Sequence, residues 1–206
     1  MHKLAQIFDE AHSIQDYTDK YLARLIELLQ GLDRSVVERI IEAIEAAFAS
    51  GNTLYLMANG GSAAAASHLV NDLVAGGYVE GQAPMRAFCL SDNTETVTAL
   101  ANDAGYENIF VNQLKVHLRP GDVVLGMSVS GNSENIIRAI DYANENGAVT
   151  IGYCGFEGGR LGGKSQISLH AVTTKDEYGP VEDVFAIMVH LLGTYLTMRR
   201  GKKLHH

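Results

Sequence analysis

Cysteine occurs twice in 206 residues, proline three times and tryptophan not at all. The two cysteines, Cys89 and Cys154, cannot build a disulfide framework. Each stands beside strand-like apolar residues, and both read as buried free thiols of a reducing cytosol. Basic residues are also scarce: 16 Lys and Arg against 24 Asp and Glu leave a net charge of −8. No basic face is available to neutralise many phosphates, which argues against a dedicated nucleic-acid binder. There is no run of eighteen apolar residues, and the N-terminus carries acidic and polar residues where a secretory leader needs an apolar stretch. A cytoplasmic protein without a membrane partner is therefore expected. Low-complexity segments and solenoid-type repeats are likewise missing.

Hydrophobic residues at 47% and charged residues at 19% are the composition of a folded chain, with length for one substantial core plus helical additions. Glycine is plentiful at 21, and it clusters after strand-like runs. The first fifty residues differ. Tyr21-Leu22, Leu25-Ile26 and Leu28-Leu29 recur at helical spacing, and residues 36–48 form a second periodic stretch with Asp33 as its N-cap. Two long amphipathic helices are expected there, packed on a sheet or on a partner subunit.

From residue 53 the rhythm is strand, glycine-rich turn, helix. Strands are predicted at 53–57, 85–90, 123–127, 149–153 and 167–172. Helices are predicted from 62 to about 75, from near Asn93, over 106–117, from 133 to about 146, and from near Val181 with Pro180 just ahead of the first turn. Such alternation implies a parallel sheet covered on both faces.

Two loops invite an anion. Asn59-Gly60-Gly61-Ser62 follows the first strand, and Ser128-Val129-Ser130-Gly131-Asn132-Ser133 follows the third, each opening a helix. Helix-start N–H groups and serine hydroxyls stabilise a phosphate ester without any lysine. Neither loop has the lysine ending of a P-loop or a dinucleotide glycine pattern, and ordinary turns with serine caps are the alternative.

His68 and Asp72 are spaced i, i+4 on one helix face, and Glu182, Asp183 and His190 lie on the last helix. Two histidines and carboxylates suit a zinc-like ion or general acid–base work; structural histidines and helix-start carboxylates are the alternative. Asn102-Asp103 either lines a pocket or caps a turn. Tyr153 and Tyr178 either contact a sugar or pack, His117 and His170 read as structural, and residues 199–203 read as a solvated helix end. The tail Leu204-His205-His206 is set apart from the site.

Taken in order, Asn59–Ser62, His68, Asp72, Asn102-Asp103, the 128–133 serine loop and His190 resemble the sugar isomerase (SIS) family, and within it the phosphoheptose isomerases. The resemblance covers nearly the whole chain. It implies a three-layer α/β/α sandwich with a five-stranded parallel sheet, one SIS domain over 1–206 with 1–50 as a helical extension used in oligomerisation, and a homotetramer with sites near subunit interfaces. The implied activity is aldose–ketose isomerisation of a sugar phosphate, sedoheptulose 7-phosphate to an aldoheptose 7-phosphate, through an enediol. Asp72 would be the base and His190 its acid–base partner. Substrate contacts would come from Asn59, Gly60, Gly61, Ser62, Asn102, Asp103, Ser128, Ser130, Ser133 and Glu182, and a divalent metal, zinc in some members, would bind His68, Asp72, Glu182 and His190. A non-catalytic SIS sensor or scaffold, like relatives that bind a replication initiator, is the alternative reading. The chain departs from the family pattern at Asp72 (usually Glu), Glu182 (usually Gln), Val129 (usually a hydroxyl residue), and Ala65 and Gly179 (usually Asp). Convergence of Asp72 and Glu182 would place two anions together and favour a cation between them.

Overall fold

The structure is a computed structural model that describes residues 2–202; the 204–206 tail lies outside them. Five parallel strands, β1 (Leu54–Ala58), β2 (Ala87–Cys89), β3 (Val123–Ser128), β4 (Val149–Cys154) and β5 (Ile167–His170), form one sheet in the order β2-β1-β3-β4-β5. Helices α1 (Lys3–Asp9), α2 (Ile14–Gln30), α3 (Arg34–Ala49), α4 (Gly60–Asn71), α5 (Thr94–Ala104), α6 (Ile109–His117), α7 (Glu134–Glu145), α8 (Gly159–Lys164) and α9 (Tyr178–Arg199) complete it.

Strand periodicity splits the core in two. Leu54, Leu56, Val123, Leu125, Met127, Ile151 and Leu169 face a layer built from α2, α3, α4 and α9, while Tyr55, Met57 and Val124 face α6 and α7. The expected three-layer α/β/α sandwich is therefore what forms. On α3, Ile40, Ile44 and Phe48 are spaced by four and buried on the sheet. Each contributes about 1.5–3 kcal/mol by leaving water. Asp33 caps that helix as expected, accepting a hydrogen bond from the Ser35 N–H at 2.9 Å. At the N-terminal ends of the strands, buried Asp122 accepts from the N–H groups of Thr53 and Arg119 and from Asn52 Nδ2, tying β1 to β3.

Several boundaries move. A short α1 precedes the two long helices, held by the Lys3 N–H on Thr174 Oγ1 and the Ala5 N–H on Asp176 Oδ2. β2 shrinks to three residues because it is an edge strand, paired only to β1. The last helix begins at Tyr178, so Pro180 lies inside its first turn, where a missing N–H costs nothing. The glycine-rich α8 was not expected. The 22-residue α9 contains an 18-residue window of mean hydropathy 1.3, the length and composition of a membrane span, yet half of that window is buried and Val181, Phe185, Val189 and Leu192 sit in the core. Cys154 is buried as expected, whereas Cys89 is only partly so.

Candidate functional site

Strand order reverses between β1 and β3, whose neighbours on the far sides are β2 and β4. In open parallel sheets ligands bind at the carboxyl ends of strands flanking such a switch point. Both glycine and serine loops leave from there.

The β1–α4 loop is pinned by side chains. Asn59 and Asn135 exchange amide hydrogen bonds of 3.0 and 2.8 Å, and the Tyr106 hydroxyl donates to Asn59 Oδ1 at 2.7 Å. Asn135 is buried in the first turn of α7. It escaped sequence reasoning, although it stands two residues beyond the serine loop. In the β3–α7 loop, Ser128 and Ser133 share a hydroxyl contact of 3.1 Å, and Ser130 Oγ accepts from the Asn132 N–H. Gly131 has φ +65° and packs so closely on Gly158 that any Cβ would strike its carbonyl. Arg160, also missed, braces the loop by donating to Asn132 O and to Glu134. Val129 is buried in the core facing α9, so its side chain does not present itself to a ligand.

Beyond the β1–α4 loop, α4 packs across α9. His68 Nε2 lies 3.0 Å from His190 Nε2 and 3.4 Å from Asp72 Oδ1. The helix widens here: residues Asp72–Gly76 form a π turn, a local feature frequent at functional sites. Asp72 Oδ2 points to Gly193, where a Cβ would lie 3.0 Å away, so glycine lets α9 pass close to this carboxylate. One donor atom each from His68, Asp72 and His190 falls within 4.8 Å of the others. Ligand atoms on a tetrahedral ion with ~2.0–2.1 Å bonds sit about 3.4 Å apart, so these three fit a divalent metal.

Glu182 goes elsewhere. It lines the same cleft of about 240 Å³, with Gly61, Ala64, Ala65, His68, Ala186, Val189 and His190. Its Oε1, however, accepts a hydrogen bond from Ser62 Oγ at 3.1 Å, and its carboxylate lies against Gly61. The expected convergence with Asp72 is not what the side chains do, and the expected four-ligand set reduces to three. Asp183, the competing partner of His190, instead accepts from the Tyr21 hydroxyl at 2.5 Å, and burial and that carboxylate push the phenol's pKa up.

The remaining candidates separate. Asn102 donates to Asp103 at 2.7 Å on the exposed end of α5, and it is Tyr106, just beyond, that reaches the β1–α4 loop. Tyr153 is fully buried against Phe185 with an unpartnered hydroxyl, so it packs rather than touching a sugar. Exposed Tyr178 stands edge-on to Phe156, and Gly179 packs near the Tyr21 hydroxyl. His170 bonds the Phe156 carbonyl, as a structural residue would. His117 borders a separate hollow of about 590 Å³ beside β2, whose lining includes no carboxylate. Cys89 lines the same hollow, and burial pushes its thiol up to about 11, away from nucleophilic use.

The SIS domain model matches residues 16–155. A probable phosphoheptose isomerase of Thermoplasma acidophilum is 35% identical over 173 residues, 84% of this chain and 93% of that protein. A phosphoheptose isomerase of Rhodospirillum rubrum is 36% identical over 149 residues, 72% of this chain and 78% of that protein. Among solved structures, a phosphoheptose isomerase from Francisella tularensis superposes with a TM-score of 0.80 at 23% identity, covering 90% of this chain and 96% of that one.

Proposed function

The chain belongs to the SIS domain family, and from that premise we propose that it is a phosphoheptose isomerase, interconverting sedoheptulose 7-phosphate and an aldoheptose 7-phosphate. The observation that carries the reading is the meeting of His68, Asp72 and His190 where α4 packs across α9, in a fold whose β3–α7 loop is a serine-rich helix start. The phosphate rests on Ser128, Ser130, Ser133 and the first N–H groups of α7, which precede that helix's intrahelical bonds. Arg160 holds that loop in shape.

With the phosphate held, the carbonyl end of the sugar reaches the histidine pair. Asp72 removes a proton from C1 of the ketose, the C2 carbonyl oxygen takes a proton from His190, and an enediol results. Reprotonation at C2, with loss of the C1 hydroxyl proton, yields the aldose. The Asn59-Gly60-Gly61 turn, which Tyr106 and Asn135 hold in place, borders the sugar chain. His68, Asp72 and His190 would hold a divalent ion such as zinc, which when bound would stabilise negative charge on the enediol oxygens.

The reading extends to a cytoplasmic homotetramer formed from single-domain chains over 1–206. In its support, α9 exposes Ile187, Leu191, Tyr195 and Met198 along one side, α2 exposes Leu22 and Ile26, and His68 and His190 are open to solvent in the single chain. A second copy laid on that side would close the site.

The test is turnover of sedoheptulose 7-phosphate against a panel of five- and six-carbon phosphosugars. Preference for the heptose is the expected result. Tight binding of a sugar phosphate with no turnover, with and without zinc, would move the chain to the sensor reading.

A further inference from the structure

The N-terminus of α4 already holds an anion of its own. Glu182 reaches it from α9, its carboxylate against Gly61 and bonded to Ser62 Oγ at 3.1 Å, while Ser62 itself is only 4% exposed. The fit is close: a Cβ at position 61 would stand 2.5 Å from Glu182 Oε2, so the carboxylate occupies the space that the missing side chain leaves. A phosphate arriving at Ser62 would meet a neighbouring negative charge and a hydroxyl whose proton is already donated.

We propose that Glu182 is a specificity-determining residue that fills the α4 helix start in place of the substrate phosphate, so that Ser62 is not a phosphate ligand and the phosphate is confined to the 128–133 loop. This assignment rests on the isomerase reading, which supplies the phosphorylated substrate. Its consequence is orientation. Of two neighbouring serine-bearing helix starts, only α7 is free, so the phosphate end is drawn there and the carbonyl end is left beside His68 and His190. A carboxylate at this position accepts hydrogen bonds and donates none, so it takes hydroxyls of the sugar and rejects a second anionic group.

Inorganic phosphate titrated calorimetrically into the full chain and three variants tests this, with thermal unfolding as the check that each variant folds. Ser62→Ala is expected to bind phosphate within about twofold of the parent, and Ser133→Ala about tenfold or more weakly, the effect of losing one charge-assisted hydrogen bond. Glu182→Gln removes the like charge at unchanged shape and is expected to tighten phosphate by about fivefold. Weakening of about tenfold in Ser62→Ala, or a Glu182→Gln variant that binds no more tightly than the parent, overturns the assignment. A parent chain that binds phosphate in this pattern yet isomerises no sugar phosphate overturns the isomerase reading and leaves the role of Glu182 standing. A parent chain that binds no phosphate overturns both.

Discussion

His190 Nε2 lies 3.0 Å from His68 Nε2, with the two rings close to perpendicular at 88°. One neutral imidazole can donate to the other, or both lone pairs can face one cation; the geometry serves a proton transfer and a metal equally. His190→Ala removes both uses. Turnover is expected to fall by about 10²–10⁴-fold, the usual weight of one positioned acid–base group, with sugar-phosphate binding kept. Zinc uptake, measured by elemental analysis after loading and desalting, is expected to be lost in the same variant. Wild-type turnover in His190→Ala would remove this residue from the chemistry.

Gly193 makes room for Asp72. A Cβ there would lie 3.0 Å from Asp72 Oδ2 and 3.1 Å from its Cβ, so Gly193→Ala forces the aspartate to give by a few tenths of an ångström. Misplacement of 1 Å can cost about 10²-fold in rate, and the smaller shift is expected to cost about tenfold in kcat with KM little changed. A variant with unaltered kcat would show that the position of this carboxylate is not critical.

Arg24 and Glu177 tie α2 to the start of α9. Glu177 is fully buried and receives Arg24 Nε at 2.7 Å. Burial pushes its pKa up, but Arg24 and the N–H of Thr174 outweigh that and hold the carboxyl below its ordinary value. Arg24→Met strands that charge and is expected to cost about 3–5 kcal/mol, read as a loss of denaturant stability. Adding Glu177→Gln should restore much of it, because the stranded charge is gone. A double variant no more stable than Arg24→Met would contradict this account.

Asp176 fastens α1. Slight burial raises its pKa, but the Thr174 hydroxyl and the N–H of Ala5 outweigh it and hold the carboxyl at about 2. A depressed carboxylate contributes its stability above the unfolded value near 3.8, and that contribution fades as pH falls towards about 2. Protection of the α1 amides, taken relative to the intrinsic exchange rate at each pH, is therefore expected to fall over this window in the parent chain, while in Asp176→Asn it is low throughout. Equal protection of α1 in the two chains at neutral pH would show that another contact does the fastening.

Much of this was legible because local rules and tertiary demands coincide. The 59–62 and 128–133 loops show in sequence since an apolar strand, a run of Gly and Ser and a helix follow one another directly, and His68 with Asp72 shows since i, i+4 places them on one face. Glu182 was misplaced for a reason that spacing cannot reveal. Eight residues put it on the same side of α9 as His190, but over two turns nearer the start of α4, and only the crossing of the two helices brings it to Gly61 rather than to Asp72. Asn135, Tyr106 and Arg160 depend in the same way on contacts between separate elements, and even Asn135, two residues past the serine loop, shows its partner only once α7 is laid against the β1–α4 loop. The π turn at Asp72 breaks the 3.6-residue period itself, so a periodicity argument passes over it.

On the isomerase reading, the site around His68, Asp72 and His190 moves a proton between neighbouring carbons of a sugar phosphate. Incubation of the protein with sedoheptulose 7-phosphate in deuterated water, followed by NMR, tests it most directly. Deuterium entering C1 of the ketose and C2 of a newly formed aldose is the expected result, and its absence from an Asp72→Asn control would assign the base. A folded, active-concentration sample that exchanges no carbon-bound hydrogen, with or without zinc, would contradict the account.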